Sequence, residues 1–245
     1  MKNLIISDNP TISIQIHEIN EGLGISDQFD WYYSQGNNIT FPSLFQGCLN
    51  LKNQSDRDFI INNHEKIFSI HSKQLFPLRL TSILKCYNLH PGYNPLNRGW
   101  YPQVFAIINK LEIGATLHRI DEQLDHGEII ARKKLYIPEL STSKEVYEMV
   151  LDLEKEIWKS NIKSLLEDNY STIQPEELGV VRFKSDFKKL LELDLDSEGS
   201  LREHLDLLRA LTHPPYNNAF VKNKAGKKFY VSINFKPESI SESLK

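Results

Sequence analysis

Two rhythms of apolar residues alternate along this chain. Short apolar runs bounded by turn residues read as buried strands, and apolar positions three or four apart read as helix faces. The run at 2–7, centred on Leu4-Ile5-Ile6, is a strand, and Asp8-Asn9-Pro10 turns it into a helical stretch over 11–23. Aromatic residues make 28–34 strand-like, and Gln35-Gly36-Asn37-Asn38 is the turn behind it. A short strand over 67–70 stops at His71-Ser72-Lys73, and the run Ile83-Leu84-Lys85-Cys86-Tyr87 is another. Residues 101–111 change rhythm, with Val104, Ile107, Ile108 and Leu111 on a helical face. Strands over 114–120 and 129–137 flank a loop at 121–128. Thr142-Ser143-Lys144-Glu145 is a capping box. It opens a long helix striped by Val146, Met149, Val150, Leu153, Ile157 and Leu165. Strands alternating with helices predict an α/β fold, a Rossmann-like, mostly parallel sheet flanked by helices.

After Tyr170 the texture becomes more polar and charged. A short amphipathic helix over 200–211 ends at Thr212-His213-Pro214-Pro215. Strands at 217–221 and 228–235 surround Lys224-Ala225-Gly226-Lys227, a hairpin pattern. The expected division is a principal domain over 1–180 and a small helix and β-hairpin region over 181–245. A lone hairpin is marginal in water. Phe220, Phe229, Tyr230, Val231 and Ile233 therefore need a covering surface, either a second copy of the chain or the parent domain. The polar tail from 237 to 245 is expected to fray.

Composition narrows the partners. With 245 residues, 40% of them hydrophobic, the chain can build a sizeable core, and a net charge of −3 argues against a polyanion as the main partner. Two cysteines make no disulfide framework, and Cys86, inside an apolar run, reads as a buried structural thiol. The N-terminal apolar run is too short and polar-flanked for a signal peptide, and no run approaches the ~18 apolar residues of a membrane span. A cytoplasmic protein is the expectation.

The chemistry concentrates in two places. Asn88 and His90 stand two apart at the end of a strand, so both side chains share a face there. Pro91-Gly92 stops the strand, leaving an amide and an imidazole at a strand-to-loop junction, where open α/β sheets bind ligands. Asp125, in the loop after a later strand, would complete a set of amide, base and orienting carboxylate suited to acyl-type transfer.

Taken in order, Asn88-Leu-His90-Pro-Gly, Arg98-Gly99 and Gly114-Ala-Thr-Leu-His-Arg-Ile-Asp-Glu-Gln-Leu-Asp125-His-Gly resemble the 10-formyltetrahydrofolate-dependent formyltransferases. The surroundings, His71-Ser72-Lys73-Gln74-Leu75-Phe76-Pro77, Asn94-Pro95-x-Asn97-Arg98-Gly99-Trp100-Tyr101-Pro102 and Arg209 to Tyr216, are more similar to the nucleotide-sugar N-formyltransferases of that superfamily. The resemblance implies a formyltransferase fold and transfer of a formyl group from 10-formyltetrahydrofolate to a nucleotide-linked amino-deoxyhexose. The implied acceptor is dTDP-4-amino-4,6-dideoxyglucose, for O-antigen or another surface polysaccharide; the 3-amino isomer stays open.

It further implies roles. His90 would accept the amine's proton, Asn88 would donate to the developing oxyanion, and Asp125 would take a hydrogen bond from the other imidazole nitrogen. Lys73, Asn9, Asn94, Trp100 and Tyr216 would hold the nucleotide sugar. Gln74, Phe76, Ile120, Asp121 and Leu124 would line the folate, mostly through backbone groups. No metal is called for, a homodimer through the C-terminal region is expected, and Arg98-Gly99 reads as structural. His118 and His126 do not match the base position and are left out. Methionyl-tRNA formyltransferase is the rival enzyme, disfavoured because a tRNA binder needs a basic C-terminal domain. A silent binding module is the rival of another class.

Overall fold

Leu4, Ile5 and Ile6 are all fully buried, which places the first strand in the middle of a sheet covered on both faces. The structure, a computed structural model, describes residues 1–37, 40–175 and 178–238. The sheet strands are β1 (Lys2–Ser7), β2 (Phe29–Ser34), β3 (Gly47–Leu49), β4 (His64–Ile70) and β5 (Lys85–His90). After a two-residue β6 (Arg98–Gly99), β7 (Ile113–Arg119) and β8 (Ile129–Leu135) complete it. Their order is β3-β2-β1-β4-β5-β7-β8. The first five strands pair in parallel, and β7 and β8 are antiparallel. The expected mostly parallel α/β sheet is therefore what the chain forms.

The helices are α1 (Pro10–Gly22), α2 (Gln54–Asn63), α3 (Leu78–Thr81), α4 (Pro102–Asn109) and α5 (Ser143–Leu166). Two hydrophobic clusters cover the two sheet faces. One joins Ile5, Phe68, Tyr87, Leu89 and Leu117 to Val146, Val150, Ile157 and Trp158 of α5. The other joins Leu4, Ile6, Ile67 and Cys86 to Ile60 of α2 and Leu80 of α3. The capping box at Thr142 and Glu145 forms and starts α5, which packs across β7 and β8. Cys86 is buried, and burial pushes its thiol up to about 12, as suits a structural residue.

Several elements differ from expectation, each for a physical reason. β3 and α2 went unseen because they are edge elements; α2 buries only Ile60 and shows no apolar stripe. Beyond β9 (Val181–Arg182) lie α6 (Lys184–Leu190), α7 (Leu201–Leu211), β10 (Phe220–Lys222) and β11 (Lys228–Tyr230). β9 pairs with β6, and Phe187, Ala210, Leu211 and Ala219 enter the larger core cluster. The C-terminal region thus shares the main core across the expected boundary at 180. The hairpin forms, with Phe220 inward and Phe229 and Tyr230 47% and 57% exposed. Residues 239–245 of the tail, and Asn38 of the expected turn, lie outside the described residues.

Candidate active site

In the parallel ladder Ser69 pairs with Asn88 and Ile70 with Leu89, while Leu89 joins the α5-side core. Alternation then puts Asn88 and His90 on the opposite face, at the end of β5. His90 is 5% exposed, and its Nε2 lies 2.8 Å from the Asn97 carbonyl. A carbonyl only accepts, so Nε2 bears the hydrogen and the Nδ1 lone pair faces Asp125, whose Oδ2 is 3.6 Å away. The expected arrangement is thereby altered. The Asn97 carbonyl holds His90 through Nε2, and Asp125 stands just beyond hydrogen-bond distance of Nδ1.

Asp125 arrives by an unforeseen route. Because β7 runs antiparallel to β5, the loop after Arg119 starts beside Cys86 and folds back across the face toward Asn88. Asp125 ends that return with φ +47, and its carboxylate accepts from Asn88 Nδ2 at 3.0 Å and from the Gly99 N–H at 2.9 Å. Asn94 Nδ2 donates to its carbonyl at 3.0 Å. Arg98, 4% exposed, donates to the carbonyls of Leu124 and Leu178 and so ties the two loops together. Burial by itself would raise the Asp125 carboxyl. The positive charge that the His90 and His118 imidazoles bring when protonated, together with the Gly99 N–H, outweighs burial and holds it far below the usual carboxylate range.

His118 is the residue sequence reasoning left aside. It pairs directly across the antiparallel ladder with Asn88 and is 1% exposed. Its Nδ1 donates to the Arg119 carbonyl at 2.7 Å, which leaves Nε2 to accept from Asn88 Nδ2 at 3.3 Å. Both amide hydrogens of Asn88 are thus engaged, and its Oδ1 has no donor among the described residues. An oxyanion role for Asn88 requires the longer contact to open. Nothing in the sequence marks β7 as antiparallel, so no local signal pointed to His118.

The expected binding residues fall into separate groups. Asn94 is 1% exposed and stands behind Asp125 rather than at the surface of the cleft. Trp100 has the Lys184 ammonium 3.9 Å above its ring. Gln74 donates its side chain to Ser34 Oγ and the Leu49 carbonyl and accepts from the Leu51 N–H, and its backbone N–H donates to Ser72 Oγ, which leaves its backbone carbonyl for a ligand. Phe76 and Ile120 pack against the second core cluster, and Leu75 and Leu78 beside them are exposed. Asp121 holds His126 Nδ1 at 2.6 Å, and the Leu124 carbonyl is taken by Arg98.

Asn9 and Lys73 flank the gap between β1 and β4, where the strand order reverses. Asp8 accepts from the N–H groups of Ser34 and Lys73 and from the side chains of Ser34 and Asn37. The exposed Lys73 reaches Asn37 Oδ1 at 3.4 Å. Tyr216, 68% exposed, lies near Tyr147 and Tyr101, whose phenols are raised by burial first and by its proximity in part.

The chain is similar to known proteins. The formyl transferase family model matches residues 75–162, and a model of the N-formyltransferase dimerization C-terminal domain matches 186–237. A dTDP-4-amino-4,6-dideoxyglucose formyltransferase of Mycobacterium tuberculosis is 39% identical over 75% of this chain and 79% of its own length. The crystal structure of a sugar N-formyltransferase from a Shewanella species superposes with a TM-score of 0.92 at 38% identity, covering 98% of this chain and 99% of its own. A 4-N formyltransferase from Francisella tularensis gives 0.89 at 36% identity, with 97% and 98% covered.

Proposed function

This chain belongs to the formyl transferase family and is a sugar N-formyltransferase, and from that premise we propose dTDP-4-amino-4,6-dideoxyglucose as its acceptor and 10-formyltetrahydrofolate as its formyl donor. The substrate named for the Mycobacterium tuberculosis relative and the position named for the Francisella tularensis enzyme both support the 4-amino isomer over the 3-amino one. When bound, the folate supplies the formyl carbon to which the sugar nitrogen bonds. Phe76 and Ile120, with the exposed Leu75 and Leu78 beside them, suit the flat ring of such a group.

The chain contributes a proton acceptor beside a fixed negative charge. His90 Nδ1 takes the proton that the amine sheds as its nitrogen bonds to carbon, and returns it to the nitrogen that departs. Asp125 at 3.6 Å stabilises the imidazolium in between. Asn88 Oδ1 accepts from the amine, and the amide hydrogen now shared with His118 turns to the developing oxyanion. The observation that carries these roles is the 2.8 Å contact of His90 Nε2 with the Asn97 carbonyl, which supports Nδ1 as the base.

Dimerisation through the C-terminal region belongs to the same proposal, supported by the dimerization family model and by exposed Phe229 and Tyr230. A cytoplasmic setting and a place in O-antigen or other surface-polysaccharide synthesis go with this substrate. Among the described residues no helix is long and apolar enough to cross a membrane.

Mass spectrometry of amino-sugar nucleotides incubated with enzyme and 10-formyltetrahydrofolate tests the substrate. A product heavier by one CO from the dTDP-4-amino sugar is the expected result. Formylation of the 3-amino isomer alone, or of methionyl-tRNA, would replace it.

A further inference from the structure

His71 should end β4 as Ile70 began to, but its φ of +56 turns the side chain to the α5 face. A non-glycine residue rarely sits there unless its surroundings hold it. What holds it is Glu154 of α5, which is fully buried and has both carboxylate oxygens within 3.0 and 2.8 Å of His71 Nε2. A buried carboxylate in an apolar stripe is costly, and an apolar residue there would pack as well. The pair therefore answers to something other than core stability.

The hydrogens around the imidazole show what it lacks. Both Glu154 oxygens converge on His71 Nε2, the geometry of an N–H donating to a carboxylate, so Nε2 is taken as the donor. Asn9 Oδ1 caps α1 by accepting from the N–H groups of Thr11 and Ile12, which fixes its amide with Nδ2 pointing inward. One Nδ2 hydrogen goes to Tyr147 Oη at 2.8 Å. The other faces His71 Nδ1 at 3.3 Å, and the Tyr147 hydroxyl faces the same Nδ1, also at 3.3 Å. That nitrogen has a single lone pair. Two donors compete for it, so at least one hydrogen of this group has no acceptor within it; a second proton on His71 would only add to the surplus.

The surplus donor sits where β1 and β4 leave the sheet in opposite lateral directions, at the position where such folds bind ligands. Asn9 and Tyr147 are only partly buried, and Tyr147 stands beside the His213 ring at 5.5 Å, which leads to Tyr216. We infer that Tyr147 and Asn9 donate this hydrogen to an oxygen of the nucleotide-linked substrate, with His71 and Glu154 as positioning residues that fix the donors. The acceptor is a diphosphate oxygen or a hexose hydroxyl. The choice of ligand rests on the function proposed above.

Tyr147→Phe removes the hydroxyl and keeps the ring. Calorimetric titration of the full chain with dTDP and with dTDP-4-amino-4,6-dideoxyglucose should show affinity about five- to twentyfold weaker. Folate KM should change less than twofold, and the sugar KM should rise with kcat within about threefold. Weakening toward dTDP as well as the sugar nucleotide assigns the hydrogen to the diphosphate; weakening toward the sugar nucleotide alone assigns it to the hexose. Glu154→Gln, which lets His71 Nε2 become an acceptor, should weaken binding likewise, and Tyr147→Phe decides the matter if that variant does not fold. Unchanged affinity for both ligands, at an unchanged melting temperature, would overturn the inference. A wild-type chain that binds the sugar nucleotide but transfers no formyl group would instead strike the proposed function, leaving the binding comparison intact.

Discussion

Two histidines stand side by side at the carboxyl edge of the sheet, each with a carboxylate, and they differ in almost everything else. His71 is clamped by both oxygens of Glu154, the nearer at 2.8 Å, and turned to the α5 face by a positive φ. His90 stays on the opposite face with Asp125 3.6 Å from its Nδ1, held instead through Nε2 by a backbone carbonyl. A carboxylate in direct hydrogen bond fixes a ring and consumes one nitrogen. One set slightly back leaves that nitrogen's lone pair available and acts when charge appears. Catalytic hydrogen bonds are often long before substrate is bound. The tighter pair therefore suits positioning, and the looser one suits proton transfer.

The sharpest way to break this contrast is to remove the catalytic pair. His90→Ala and Asp125→Ala should each lower kcat by roughly 10²–10⁴-fold, the usual worth of general acid–base assistance. Nucleotide-sugar affinity should stay within a few-fold, as single-turnover rates and titration would show. Equal losses in kcat and affinity would mean that the two histidine clusters form one binding unit.

The two clusters were not equally legible. Asn88 and His90 declare themselves by a spacing of two at the end of an apolar run, and Asp125 by its place in an ordered motif. Glu154 did leave a signal: it falls between Val150 and Ile157 on the buried face of α5, a charge where the stripe predicts an apolar residue. His118 left none, because its place opposite Asn88 depends on an antiparallel register that hydrophobic periodicity does not specify. Polar edge elements such as α2 hid for the same reason that they matter little to the core.

A second perturbation tests whether the loose pair depends on its backbone frame. An alanine at Gly99 would place its Cβ 2.1 Å from the Arg182 carbonyl, at φ +91, where side chains are strained. Gly99→Ala should part β6 from β9 and free Asp125 Oδ2 from the Gly99 N–H. A kcat loss of about tenfold or more is expected, with a lowered melting temperature, while affinity for dTDP is kept. Lys73→Ala should do the reverse on a smaller scale, weakening dTDP several-fold as a lost point charge near a diphosphate would, with kcat nearly unchanged. An unchanged dissociation constant would remove Lys73 from the nucleotide site.

The smallest expected effect sharpens the comparison by supplying a pair with no task at the cleft. His64 begins β4 at the other edge of the sheet, fully buried, with Asp30 3.4 Å from its Nε2. Burial is the largest influence and lowers its titration, partly opposed by Asp30 and by the Ile60 carbonyl. The unfolded chain then binds a proton near the ordinary imidazole value of ~6.5 that the folded chain refuses, so stability falls as pH drops below that value. His213 is lowered by burial as well and adds a slope of the same sign. Replacing His64 by Asn should flatten the loss of melting temperature between about pH 7 and 5, by at most ~1.4 kcal/mol per pH unit for one proton. Formyl transfer at neutral pH should be untouched. A changed kcat would mean that His64, though at the far edge, communicates with the cleft through β4, and the contrast between positioning and catalytic histidines would then have to include the strand that joins them.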